Sequence, residues 1–160
     1  MMRRKIYFCK SWFMAKKMPT EVWTKEQALA AHKSGKPYAV LVDSQERPSC
    51  CVEVTKNYVG VDFLDEHLRD YLVYVFQRKQ ESEKLFLSRI NYTEYDGNSD
   101  RIKFGTLYLL KPDGSVKVSR ETFIPEHCLE TMDTSTDVSV QYETFPEFGE
   151  YDAFLKIERG

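Results

Sequence analysis

Residues 85–123 read LFLSRINYTEYDGNSDRIKFGTLYLLKPDGSVKVSRETF, and three strands can be drawn from them without help from the rest of the chain. Apolar, aromatic and β-branched residues recur along 85–95 and again along 102–110. Between the two runs lies Asp96-Gly97-Asn98-Ser99-Asp100, a loop of turn-forming residues. Lys111-Pro112-Asp113-Gly114 then makes a tight turn, with Pro at its second position and Gly at its fourth, leading into a third run over 115–123. Hairpin follows hairpin and no helix-length segment separates them, so neighbouring strands run antiparallel.

The same period of two extends upstream. In residues 69–76, Tyr71, Val73 and Val75 point one way while Leu72, Tyr74 and Phe76 point the other, the signature of a central strand covered on both faces. Residues 58–64, 50–55 and 38–43 are shorter strands of the same kind. Before them, Thr24-Lys25-Glu26-Gln27 forms a capping box, and Ser34-Gly35 followed by Pro37 ends the helix it starts, over residues 24–34. Downstream, residues 125–137 are acidic and rich in Thr and Ser, too irregular for a strand, and are expected as a long functional or mobile loop. Residues 138–145 can return as a strand, and 151–157 as a final strand or short helix. The expectation is an α+β fold: a single antiparallel sheet of about six to seven strands with one N-terminal helix packed on it.

The chain has 160 residues, enough for one ordinary domain, and a net charge of −2 that is unevenly spread. Residues 1–17 carry +6 with no acid, and residues 124–160 carry −7. The apolar run behind the basic start, Ile6 to Cys9, is too short for a signal peptide, so residues 1–17 are expected as a poorly ordered basic extension or a misplaced start. A single α+β domain then occupies 18–160. Cys50 and Cys51 are neighbours that project to opposite faces of a strand, and no C-x-x-C pair exists, so the cysteines read as reduced thiols of a cytoplasmic protein. The acidic C-terminal third repels nucleic acid and anionic membrane and suits a basic protein partner.

Two clusters could carry chemistry. Asp62, Asp65, Glu66, His67 and Asp70 surround one turn, and carboxylates beside a His can move protons or hold a cation, although a solvated turn uses the same residues. His127-Cys128 with Cys50 and Cys51 supplies metal-ligating residue types without the spacing of zinc modules. No nucleophile elbow, phosphate loop or metalloprotease motif is present, and neither metal nor cofactor is expected. The candidate partner-binding surface is Glu126, Glu130, Asp133, Asp137, Tyr142, Glu143, Phe145, Glu147, Phe148, Glu150 and Tyr151, where aromatic residues lie among carboxylates.

Four pieces of sequence carry a resemblance: residues 58–65, YVGVDFLD; 69–76; 109–114, LLKPDG; and 145–151, FPEFGEY. Together they resemble the small cytoplasmic immunity-type proteins that accompany bacterial polymorphic or contact-dependent toxins, over about residues 20–160. The resemblance brings no set of functional residues with it. It implies a non-catalytic inhibitor that binds and blocks a cognate toxin, with an acidic face suited to a basic, nuclease-like one. The alternative is a small enzyme or ligand-binding protein whose pocket is lined by the sheet and the 125–137 loop.

Overall fold

The computed structural model describes residues 4–80 and 82–159. Thirteen strands and one α-helix follow in this order: β1 (Ile6–Cys9), β2 (Trp12–Phe13), β3 (Met18–Pro19), β4 (Val22–Trp23), α1 (Lys25–Ser34), β5 (Tyr38–Val42), β6 (Cys50–Val54), β7 (Tyr58–Leu64), β8 (Asp70–Arg78), β9 (Lys84–Tyr95), β10 (Ile102–Leu110), β11 (Ser115–Thr122), β12 (Cys128–Ser135) and β13 (Tyr142–Thr144). Eleven of these strands form one sheet in the order β12-β11-β10-β9-β8-β7-β6-β5-β1-β4, with β13 added beside β9; β2 and β3 pair apart from it. Every pairing is antiparallel.

The antiparallel meander is therefore as expected, but the sheet is far larger than six to seven strands, and the fold is mostly β rather than α+β. The additional strands come from the N-terminal segment, which supplies β1 and β4, and from residues 128–135, which form β12. β1 lies inside the sheet, between β4 and β5, with Phe8 beside Val40 on one side and Trp23 on the other. Its four apolar residues, too few for a secretion signal, suffice for a short strand buried on both faces. Residues 6–9 thus belong to the domain rather than to an extension before residue 18, and Met1 to Arg3 lie outside the described residues. β12 replaces the expected 125–137 loop, and every residue of it is exposed. Backbone pairing with β11, not side-chain burial, makes it a strand, so no alternation marks it in the sequence.

α1 forms as its caps require. Gln27 N–H donates to Thr24 Oγ1 at 3.2 Å and Thr24 N–H donates to Gln27 Oε1 at 2.8 Å, closing the capping box. Gly35 takes the left-handed conformation, φ 73°, that a Cβ would penalise, and its N–H reaches back to the last turn. The helix lays Ala28 and Ala31 on one face of the sheet.

The strand registers place Phe8, Val40, Val52, Val61, Tyr74 and Ile90 in one transverse row, and the first five are buried beneath α1 and the C-terminal segment. The row continues through Tyr108 and Val118 to Met132, beyond the reach of that cover. On the opposite face, Cys9, Ala39, Leu41 and Cys51 form a smaller cluster with Tyr7 and Trp12 of the N-terminal segment. Lys17 pins that segment across the sheet: its Nζ donates to the His67 carbonyl at 2.9 Å and sits 2.7 Å from Asp100 Oδ1. Near Val75 and Phe76 the β8–β9 register shifts, and β9 changes partner from β13 to β10. A third cluster, Phe86, Leu110, Val116, Val118 and Val138, fills the bend. Among the described residues no helix is long and apolar enough to cross a membrane.

Candidate functional site

The eleven candidate partner-binding residues do not form one surface. Glu126, Glu130, Asp133 and Asp137 lie on or beside β12, at one end of the strand order. The other seven follow the chain back across the sheet, and most of them are structural. Phe148 stacks on Phe8 of β1, rings 5.1 Å apart, and Phe145 lies under the Arg78 guanidinium at 4.0 Å. Tyr142 packs on Phe86, and Glu143 pairs with the nearly buried Arg159. Tyr151, expected as an exposed aromatic, is 2% exposed and its hydroxyl lies 2.7 Å from that of Tyr38, which in turn sits 2.7 Å from His32 Nδ1. Only Glu147 and Glu150 in this group stand free in solvent. Aromatic residues next to acids in sequence were poor guides here, because the aromatic rings turn inward and only the acids remain outside.

The first group gives a coherent site. Residue pairs run from Thr122 with Cys128 to Ser115 with Ser135, and Thr136 N–H donates to the Gly114 carbonyl at 2.9 Å. In an antiparallel ladder the hydrogen-bonded residues alternate. Counting back from Thr136, the backbones of Thr134, Met132, Glu130 and Cys128 are turned to β11. Those of Ser135, Asp133, Thr131 and Leu129 face outward, an open row of donors and acceptors. The large apolar side chains on this edge are Leu129, 58% exposed, and Met132, 54% exposed, beside Glu130 and Asp133. Leu109 and Leu129 share a face of the outer sheet, and both are exposed. Lys117 and Arg120 on β11 stand opposite Asp133 and Glu130, yet residues 115–137 still carry five acids against these two bases. Sequence reading found the acids of this edge and missed Leu129, Thr131 and Met132; the β-branched Thr131 and Thr134 were the only hint of a strand.

The turn cluster resolves into two parts. Asp65 organises its own loop: Oδ1 accepts from His67 N–H at 2.9 Å and Arg69 N–H at 3.0 Å, and Oδ2 accepts from Arg69 Nε at 2.9 Å. Burial works against this carboxylate, but those hydrogen bonds prevail and hold it below the ordinary range. Asp70 accepts from the Tyr95 hydroxyl at 2.7 Å. Asp62 projects to the side of the sheet that carries Cys51 and Val73, where burial, then the charges of Asp70 and Glu53, push it up to about 7. Between the ordinary carboxylate range and pH 7 the folded protein keeps a proton at Asp62 that the unfolded chain has released, so this group's contribution to stability falls as pH rises through that window. Asp62→Asn should remove the slope and raise stability at pH 8 by about 2 kcal/mol, with little change at pH 4. Urea unfolding at several pH values checks this, and parallel profiles for the two proteins would refute it.

His127 Nε2 lies 2.7 Å from Glu121, Cys128 is exposed on β12, and Cys50 and Cys51 are buried in β6; burial raises the Cys50 thiol to about 12. Among the described residues no three His, Cys, Asp or Glu side chains are grouped as metal ligands. A cleft of about 1120 Å³ opens between β1, the start of α1 and residues 144–155, with Phe8, Trp23 and Phe148 on its walls. It takes nothing from residues 125–137.

No family model, curated protein or solved structure matches this chain.

Proposed function

We propose that the protein works by binding another protein, taking an extended basic segment of it as an added strand along β12. In the form suggested by the immunity-type resemblance, it is a cytoplasmic, non-catalytic inhibitor that occludes a cognate toxin of basic surface. The observation that carries this reading is the eight-residue edge of β12, exposed at every position and open along its outer backbone. A long uncovered edge is a template for pairing, which folded proteins usually blunt with Pro, Lys or a covering segment. None of the three protects β12 among the described residues. Main-chain bonding would supply affinity, and Leu129 and Met132 would supply apolar contacts on either side of the strand. The acidic excess would select basic partners and steer their approach.

The test uses a synthetic peptide that alternates Lys with Val, titrated against the full chain. Thr131→Pro is the decisive variant: the lost N–H points outward, so pairing with β11 is kept, as for proline on any sheet edge. Affinity should fall about 100-fold, while the melting temperature stays nearly unchanged. Reversing Glu130 and Asp133 to Lys should slow association about tenfold and flatten its salt dependence. Binding indifferent to Thr131→Pro would place the interface elsewhere, and self-association that the same variant abolishes would make a second copy the occupant. The aromatic cleft beside β1 favours a second reading, a small-ligand-binding protein, which gains ground if the peptide does not bind.

A further inference from the structure

A second cavity, of about 410 Å³, lies at the C-terminal end of α1. Lys33 reaches it from the helix, Lys36 from the segment behind it, Lys56 from the turn between β6 and β7, and Arg78 from the end of β8. Three stretches distant in sequence thus bring four cations to one cavity. Among the described residues Glu83 is the one carboxylate lining it, and it answers them weakly: its side chain is 75% exposed and stands 3.7 Å from Arg78. Like charges gathered in a concavity repel one another and focus a positive potential in it. Unoccupied, such a group is a cost to the fold.

Arg78 separates this cavity from a patch of surface lysines. Its side chain is only 19% exposed and its guanidinium carbon lies over the Phe145 ring, 4.0 Å from the centroid. Its Nε is buried and has no hydrogen-bond partner among the described residues. A buried donor left unpaired is uncommon. The carbonyls of the last helical turn do not compete for that place, since Gly35 and Lys36 N–H already bond to Ala31 and His32.

We propose that this cavity binds a small molecule bearing a phosphoryl or pyrophosphoryl group. A planar guanidinium offers paired donors to tetrahedral phosphate oxygens, and three ammonium groups add charge without demanding direction. One carboxylate on a ligand would leave most of that charge unanswered; a dianion or polyanion answers it. The −7 of residues 124–160 repels extended polyanions such as nucleic acid. The Phe145 ring lines the cavity and offers apolar surface to the organic part of the molecule.

Inorganic pyrophosphate is the probe, titrated calorimetrically into the full chain at low ionic strength. Saturable one-to-one binding is expected. Lys33→Glu with Lys56→Glu should lower the affinity at least about tenfold, and Glu83→Gln should raise it several-fold, because the competing carboxylate is gone. Arg78→Lys keeps the charge and loses the fork, and should weaken binding as well. The three exposed positions barely touch the core, so melting temperatures report whether folding has been spared. No saturation by about 10 mM, or affinity unmoved by both the Lys and the Glu83 variants, overturns the assignment. The site shares no residue with β12, so neither outcome depends on how the protein partner binds.

Discussion

Removing residues 1–17 should abolish cooperative folding at ambient temperature. β1 is paired on both sides, and deleting it would strip β5 of its neighbour and leave β4 with none. Phe8 and Cys9 are both buried, on opposite faces of the sheet, so each of two core clusters loses a member and Phe148 loses the ring it stacks on. Arg4 also ties the segment down, with Nη2 2.7 Å from Asp43 Oδ2, and Asp43 N–H donates to the Lys5 carbonyl at 2.8 Å. A buried Phe cut back to Ala costs about 3–5 kcal/mol, against a total stability of roughly 5–15 kcal/mol for a domain. Phe8→Ala alone should therefore lower the melting temperature by roughly 10 °C, at about 2–4 °C per kcal/mol for a chain of this length. Loss of the whole strand exceeds what the domain can spare. Circular dichroism melts of the truncated chain and of Phe8→Ala check both statements. A truncated chain that melts within a few degrees of the full one would show that β1 contributes nothing, and would return the segment to the status of an extension.

Phe154→Ala should be nearly as damaging, although Phe154 lies in the last irregular stretch of the chain. It sits in the short 3-10 turn Asp152–Phe154, is 1% exposed, and meets Phe76 edge to face with centroids 5.2 Å apart. Burial of the ring and its aromatic contact together make about 3–5 kcal/mol at this position. Tyr151→Phe should cost less, about 1 kcal/mol, because the buried Tyr38 hydroxyl loses one of its two partners and keeps His32 Nδ1. The two residues share one cluster, so their effects should not add. Denaturant titration gives the numbers, with an unchanged m-value as the sign that unfolding remains all-or-none. A loss below about 1 kcal/mol for Phe154→Ala would mean that the C-terminal segment is not the lid of the core.

Between them these residues show what the chain could and could not announce. The capping box at Thr24, the Gly35 stop, the Asp96–Asp100 loop and the Pro112-Asp113-Gly114 turn are chemistries completed within a few residues. Each was legible and each is where the sequence placed it. The two-sided apolarity of residues 71–76 likewise marked β8 as a central strand, and Leu72, Tyr74 and Phe76 are buried in the main cluster. β12 was invisible because its partner, not its composition, makes it a strand. Of the residues expected on one surface, the acids of β12 are solvent-facing, but Tyr142, Phe145, Phe148 and Tyr151 belong to packing. The phosphate cavity had no signal at all, since Lys33, Lys36, Lys56 and Arg78 are unremarkable where they stand in the chain.

The sequence by itself determined the helix, its caps, the hairpin turns and the antiparallel run from β5 to β11, because hydrogen bonding and steric preference over a few neighbouring residues settle those. Tertiary structure alone decided the size of the sheet and the sites it carries. β1 enters the sheet by pairing with a strand some thirty residues away, and Phe154 meets Phe76 across nearly eighty. The four cations of the second cavity come from segments as far apart as α1 and β8. Such contacts depend on how the whole chain closes on itself, and no local pattern records them.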